Sequence, residues 1–203
     1  MSFYSFIESL STLVDFSKPS LYISLLSIAA NPLGWNLIGR NEYKNQTLTK
    51  LIGARVSSTI LGTVIFFAGL LRDVLYRMAL HDQPHFPLPY AIQTGLSWMI
   101  FGTGNLLVAA SYFRLGFYGT FCGDYFGILK EKRVTSFPYN IMTNPMYVGA
   151  VLCFVGAAFW YERPAGLLIA LYVHLVYSIA LHFEGPFTEM IYQNRGASSK
   201  KDT

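Results

Sequence analysis

The stretch YAIQTGLSWMIFGTGNLLVAASYF, residues 90–113, runs for 24 residues without a charged side chain. An α-helix needs about 20 apolar residues to cross the roughly 30 Å hydrocarbon core of a bilayer. The stretch therefore predicts a transmembrane helix, and it makes the whole chain a candidate integral membrane protein.

Four further charge-free runs approach this length, and three of them are predicted spans, at 56–71, 147–161 and 165–181. The remaining run, 20–38, is more polar and carries Asn31-Pro32 in its middle. Proline lacks a backbone donor and lipid offers no substitute partner, so a re-entrant or interfacial helix is favoured there over a span. The predicted fold class is an all-α integral membrane protein, with about four transmembrane helices plus that N-terminal helix, in one domain over 1–203.

The composition supports this class and excludes others. Charged residues make up 13% of the 203 residues, against a norm of about 25% for soluble domains. Hydrophobic residues reach 53% and mean hydropathy is +0.38. Both values argue against an ordinary soluble enzyme and against a disordered chain. Cys122 and Cys153 have neither CxxC spacing nor clustered histidines, so we expect no metal site and no disulfide framework.

The net charge of +4 reflects how the charged residues are distributed across the membrane. We expect no nucleic-acid partner. If run 20–38 does not cross, twelve Lys and Arg fall on one side of the membrane and three, Arg72, Arg77 and Arg163, on the other. If it does cross, Lys18 changes side and the division is eleven to four. The positive-inside rule then places the 39–55 loop, the 114–146 loop and the 182–203 tail in the cytosol. Treating 147–161 and 165–181 as one broken span would separate the loop from the tail.

Two short signals bear on location. Asn45-Gln46-Thr47 is a glycosylation sequon that this topology predicts to stay unmodified, because it faces the cytosol. Lys200-Lys201 matches a dilysine retrieval signal, although a solvated basic tail explains the same residues equally well. The expected location is the endoplasmic reticulum membrane, multi-pass with a cytosolic C-terminus, with a mitochondrial membrane as a second option.

The 114–146 segment is the longest predicted loop, and long loops attract function. Glycines recur every fourth residue from Gly119 to Gly127, which suits either helix packing or close approach to a ligand. Asp124 lies among aromatic residues at the membrane edge. Lys130, Lys132 and Arg133 form a basic cluster that either attracts anionic lipid or binds a phosphate.

Three other features allow both a structural and a functional interpretation. Gly102-Thr103-Gly104 lies inside the strongest run, where glycine is common, yet it also clears space beside the helix. Asn144-Pro145 starts the next helix, and its free amides could receive a carboxylate. Glu184, directly after the last run, is either a membrane-edge marker or a ligand-binding group. His174 is the one acid or base within any run, and a hydrogen-bonded neutral histidine is at least as consistent with that position as a functional one.

These motifs occur in one order that resembles the phosphatidylethanolamine N-methyltransferase family. The matching residues are Gly102-Thr103-Gly104, 115–129, Arg133-Val134-Thr135 with Phe137-Pro138 and Asn140, 144–149, and 184–192. The resemblance covers about residues 100–193, and the chain's size resembles the fungal phosphatidyl-N-methylethanolamine branch. It implies methylation of the partly methylated lipid amines to phosphatidylcholine, with S-adenosyl-L-methionine as cofactor.

The resemblance also implies site residues. The GxG and a glutamate pair after the last span are the family's cofactor residues, which become Gly102, Thr103, Gly104 and Glu184 with Gly185. The second glutamate of the family is Gly185 here, so any contact that needs it is lost or supplied elsewhere. The 144–149 element also resembles the helix start of isoprenylcysteine carboxyl methyltransferases, which adds Asn144, Tyr147 and Gly149 to the cofactor set.

Direct methyl transfer needs alignment of the reactants and a neutral amine. The candidate proton acceptors are Glu184, Asp124 and His182, with His174 also available, and the sequence does not choose among them. The methylated headgroup is a bulky cation that suits aromatic faces, and its phosphate suits an arginine. The headgroup candidates are Tyr125, Phe126, Tyr139 and Arg133. A carboxyl methyltransferase of related build and a non-enzymatic scaffold or transporter are the alternatives, and the oligomeric state stays open.

Overall fold

A computed structural model describes residues 11–130 and 134–199, and the side chains through residue 193. The described residues form helices and no strands. From residue 14 onward, the described residues include six α-helices: α1 (Pro19–Asn45), α2 (Thr47–Ile52), α3 (Ala54–His81), α4 (Ser97–Thr120), α5 (Pro145–Trp160) and α6 (Ala165–Ser199). A π-helical segment, Ala91–Leu96, leads into α4, and a 3-10 helix, Gly123–Phe126, follows it. The predicted all-α membrane class is confirmed.

Four described helices are long and apolar enough to cross a membrane: Pro19–Asn45, Ala54–His81, Ala91–Phe126 and Ala165–Gln193. The prediction also had four spans, but it counted 147–161 as a span and left 20–38 out. The first predicted run belongs to this set, because its helix continues through Pro32 for 27 residues. Helix α5 is shorter, at 16 residues, and packs between its longer neighbours α4 and α6.

The helices define two ends of the bundle. The basic end holds the connection 46–53 and the segments 121–130 and 134–144, with Arg40, Lys44, Lys50, Arg55, Arg114 and Lys130 on or beside them. The opposite end holds residues 11–18, the 82–90 loop and the 161–164 turn. There the Asp15 backbone N–H donates to Gln83 Oε1 at 2.8 Å, and Gln83 Nε2 donates back to the Asp15 carbonyl at 3.0 Å. Helix α1 therefore runs from the opposite end to the basic end, and Lys18 lies with Arg163, as in the eleven-to-four division.

Helices α5 and α6 form a hairpin rather than one broken span. The Arg163 N–H donates to the Ala158 carbonyl at 3.0 Å, and Gly166 lies so close to Ala158 that an added Cβ would be 2.6 Å from the Ala158 Cβ. The chain therefore reverses over 161–164. Helix α6 then continues past the membrane-edge position predicted for its end, through Pro186, to Ser199.

Helices α4 and α5 are held together by a glycine contact. A Cβ on Gly104 would come within 2.6 Å of the Gly149 carbonyl oxygen, and a Cβ on Gly149 would come within 2.6 Å of the Gly104 carbonyl oxygen. Only residues without a side chain permit this approach of two helix backbones. Farther along α4, Gly116 adopts a φ of 68°, which interrupts the helical backbone before the 3-10 helix.

At the basic end, a buried carboxylate secures the connection after α1. Glu42 is 1% exposed, and its two oxygens accept the Leu48 and Thr49 backbone N–H groups at 2.8 and 2.9 Å. These are the first N–H groups of α2, which have no partner inside that helix. The connection is therefore fixed beside the 3-10 helix, close to the candidate site.

Candidate active site

Glu184 lies on α6 at the basic end, one helical turn before Thr188. Its Oε2 accepts a hydrogen bond from the Tyr147 hydroxyl at 2.7 Å, and Trp35 lines the same cavity as Glu184. Tyr147 belongs to the first turn of α5 and Trp35 to α1. Three helices thus contribute side chains to one cavity.

A second carboxylate lies within electrostatic range of the first. Asp124 begins the first turn of the 3-10 helix, and its Oδ2 accepts a hydrogen bond from the Thr188 hydroxyl at 3.2 Å. Because Thr188 and Glu184 are four residues apart on α6, they lie on the same face of that helix. The predicted loop residue and the predicted end-of-span residue are therefore neighbours in space.

A cavity of about 1400 Å³ begins at this carboxylate and extends between α3 on one side and α4, α5 and α6 on the other. Its basic-end wall includes Lys130, Asn144 and Glu184, and its far wall includes Trp98 and Trp160. Small-molecule sites are usually about 300–1,000 Å³, so this cavity has room for more than one ligand.

The structure brings together half of the predicted cofactor set. Asn144, Tyr147, Glu184 and Gly185 all line the cavity. The other half lies elsewhere. Gly104 and Gly149 are buried against each other in the seam between α4 and α5, while Gly102 and Thr103 are exposed on α4 outside the cavity lining.

The headgroup candidates also separate. Tyr139 lines the cavity, and burial raises the pKa of its hydroxyl. Tyr125 and Phe126 are buried in a small apolar cluster, where the Tyr125 ring stacks on Phe187 with centroids 5.4 Å apart. Arg133 lies outside the described residues, together with Lys132.

The two histidines raised by the sequence lie off the cavity. His182 is exposed, with its ring edge-on to Phe183 at a centroid distance of 5.6 Å. His174 is exposed on α6. Of the proton-acceptor candidates, Glu184 lines the cavity, and Asp124 lies beside it through its hydrogen bond with Thr188 but is not part of the cavity lining.

Sequence reasoning did not single out Arg72 and Asp73, which line the middle of the cavity. They appeared to mark the end of a span, because the charge-free run stops at residue 71. The helix instead continues nine residues beyond Arg72, to His81. The available signal was helical continuity, because residues 54–81 contain no proline.

Comparison with known proteins shows which family the chain resembles. The family model for phospholipid methyltransferases matches residues 92–195. The chain is 46% identical to the phosphatidyl-N-methylethanolamine N-methyltransferase of Neurospora crassa, over 96% of this chain and 92% of that protein. It is 41% identical to the Saccharomyces cerevisiae protein of the same name, over 96% and 95% of the two chains.

A human relative is named phosphatidylethanolamine N-methyltransferase and is 41% identical, over 93% of this chain and 96% of that protein. No solved structure matches the chain significantly. The family match covers the helices that carry Asn144, Tyr147 and Glu184, and the relatives align over nearly the whole length. The chain is therefore a multi-pass membrane protein that belongs to the phospholipid methyltransferase family.

Proposed function

We propose that this chain transfers methyl groups from S-adenosyl-L-methionine to the nitrogen of phosphatidyl-N-methylethanolamine and phosphatidyl-N,N-dimethylethanolamine, giving phosphatidylcholine. The observation that carries the proposal is the Glu184–Tyr147 pair at one end of a cavity large enough for a cofactor and a lipid headgroup. The names of the fungal relatives support the choice of the partly methylated lipids.

The residues at the basic end suit a cofactor with an ammonium group and ribose hydroxyls. S-adenosyl-L-methionine, when bound, supplies an electrophilic methyl group on a sulfonium. Glu184 offers a hydrogen-bonded carboxylate for the ammonium or the hydroxyls, and Asn144 adds a side chain beside the start of α5. Gly185 leaves the wall open, since an added Cβ there would meet nothing within 4 Å.

Methyl transfer forms a nitrogen–carbon bond as the sulfur–carbon bond breaks, so the lipid amine must be neutral and its proton must leave first. With Glu184 engaged by the cofactor, the acceptor is Asp124, hydrogen-bonded to Thr188, or water at the basic end. The chain contributes alignment in a largely apolar cavity, which is the main requirement of a direct displacement.

The decisive experiment uses membranes that contain the protein and labelled S-adenosyl-L-methionine. Each partly methylated lipid, phosphatidylethanolamine itself and a prenylcysteine are offered in turn, and the products are resolved. We expect label in phosphatidyl-N,N-dimethylethanolamine and phosphatidylcholine. Label in the prenylcysteine ester alone would support the carboxyl methyltransferase alternative, and no label in any acceptor would contradict an enzymatic role.

The orientation and the location are part of the same proposal. We place the basic end, and with it Asn45 and the end of α6, on the cytosolic face of the endoplasmic reticulum membrane. The dilysine pair lies outside the described residues, and a mitochondrial membrane stays the second option. In sealed microsomes, a membrane-impermeant thiol reagent should label Lys44→Cys before detergent is added and His85→Cys only afterwards. The reverse pattern would invert the orientation.

A further inference from the structure

Arg72 is a cation inside the membrane-spanning part of α3. It lies nine residues before His81, which is about 13 Å along the helix axis. Its side chain is 15% exposed and lines the cavity. A charged side chain at such a depth is costly, and those that persist face a cavity and mark a path for ions or substrates.

The guanidinium is oriented by three neighbours. Its Nε and Nη2 donate to Asp73 Oδ1 at 2.9 and 2.7 Å, and its Nη1 donates to the Tyr177 hydroxyl. The Phe154 ring lies below it, 5.2 Å from the Arg72 Cζ. Arginine held in this way presents its remaining N–H groups in a fixed direction, which suits a phosphate or carboxylate.

This cluster adjoins the carboxylate site. The Tyr177 and Tyr147 rings meet edge to face with centroids 5.1 Å apart, and Tyr147 donates to Glu184. Tyr177 and Glu184 are seven residues apart on α6, or about 10 Å along its axis. The cavity therefore has a carboxylate at its basic end and, about 10 Å deeper, a cation.

Asp73, next to Arg72, adds a negative charge to the cluster. The Asp73 side chain is 55% exposed and lines the same cavity as Arg72. Arg72 and Asp73 together present a positive and a negative group to one space. A zwitterionic lipid headgroup, with a phosphodiester and an ammonium joined by two carbons, has the complementary pair of charges.

We propose that Arg72 binds the phosphodiester of the lipid substrate, with Tyr177 and Asp73 positioning the guanidinium and the amine end directed toward the basic end of the cavity. The proposal rests on the proposed function and names a subsite within the same cavity. It also replaces Arg133 and Lys132, the sequence-based candidates for this contact, with a residue of the membrane interior.

The test measures lipid binding directly, so it does not depend on turnover. Purified protein in detergent is loaded with labelled phosphatidylcholine, which is displaced by phosphatidylmethanol or by diacylglycerol with the same acyl chains. The two competitors share their tails and differ in the phosphodiester. The wild type should prefer phosphatidylmethanol, and Arg72→Gln should reduce that preference about 10- to 100-fold, the range for a hydrogen bond to a charged group.

Three further variants separate a phosphate contact from a structural role. Arg72→Lys should retain part of the preference, because the charge remains. Tyr177→Phe should lower it less than Arg72→Gln does. Arg77→Gln removes an exposed charge from the same helix and cavity wall and should leave the preference close to that of the wild type.

Several outcomes would overturn the proposal. One is an unchanged preference for phosphatidylmethanol in Arg72→Gln, and another is a larger loss of that preference in Arg77→Gln. A third is that Arg72→Gln binds S-adenosyl-L-methionine more weakly while its binding of phosphatidylmethanol is unchanged. The last would assign Arg72 to the cofactor's carboxylate. Lipid methylation by the wild type is assayed in the same preparation. A phosphate preference that depends on Arg72, without methylation, would leave this subsite standing and remove the proposed function.

Discussion

The two sides of α4 differ in how they meet their neighbours. On one side, Gly104 brings α4 into backbone contact with α5 at Gly149. On another face, Asn105 and Tyr112 line a cavity that separates much of α4 from α3. One helix thus forms a close seam and a cavity wall, and the glycines of its GxG sequence do not line that wall. The difference separates residues that hold two helices together from residues that line the cavity.

The largest effect is expected at the carboxylate end of the cavity. Glu184→Ala should lower methyl transfer about 100-fold or more, because it removes a charged group that is hydrogen-bonded to Tyr147. The protein should still integrate into membranes. Initial rates are measured at saturating lipid over a series of S-adenosyl-L-methionine concentrations.

Glu189→Gln is the matched control for this variant, because it also alters a carboxylate of α6 that lines the cavity. It should lose far less activity than Glu184→Ala. Full activity in Glu184→Ala would remove this residue from the cofactor site.

The second prediction concerns the seam. Gly104→Val would drive a side chain into the Gly149 carbonyl and Cys153, whose nearest atoms lie 2.6 and 2.8 Å from an ideal Cβ. Overpacking of this kind destabilises by about 1–3 kcal/mol, or about 2–12 °C in the unfolding midpoint for a chain of this size. Thermal unfolding in detergent is the measurement.

Gly102→Ala is the matched control for the seam, since an added Cβ there meets nothing within 4 Å. Its unfolding midpoint should equal or exceed that of the wild type, because alanine is the better helix former. Its affinity for S-adenosyl-L-methionine tests the assignment that the family resemblance implies. If Gly102→Ala binds S-adenosyl-L-methionine more weakly without being less stable, the GxG belongs to the cofactor site. That result would contradict the division of α4 into a packing side and a cavity side.

The third prediction concerns Tyr147, which connects the two regions. Its backbone belongs to α5, the helix that forms the seam with α4, and its hydroxyl donates to Glu184 in the cavity. Tyr147→Phe keeps the ring against Tyr177 and removes the hydroxyl that donates to Glu184. The KM for S-adenosyl-L-methionine should rise about 10-fold, as expected for one charge-assisted hydrogen bond, with the unfolding midpoint nearly unchanged. A fall in kcat alone would place Tyr147 in the chemical step instead.

Much of this fold followed from hydrophobic run length. The confirmed membrane class came from charge-free runs, and the prediction that Glu184 belongs to the site came from a motif. The path of α1 did not follow, because Pro32 weakens a helix locally, while packing against α3 and α6 keeps it continuous. Arg72 was missed for a related reason. Run length treats every charge as a boundary, whereas a tertiary cavity can accommodate a charge inside the membrane.

The smallest effect is expected at the opposite end, farthest from the carboxylate site. There Glu162 accepts the Leu88 N–H and the His85 Nε2 at 2.7 Å each, and so joins the 82–90 loop to the turn between α5 and α6. These hydrogen bonds, led by that of Leu88, hold the pKa of Glu162 below its ordinary value. The contribution to stability is therefore complete above the ordinary carboxyl pKa of about 4.3 and is lost as the pH falls through the lower folded value.

Glu162→Gln should lower the unfolding midpoint slightly at pH 7, and the gap from the wild type should close in acid. A gap that widened in acid would show that Glu162 is not held as a carboxylate, and a large loss of methyl transfer would show that the two ends are coupled.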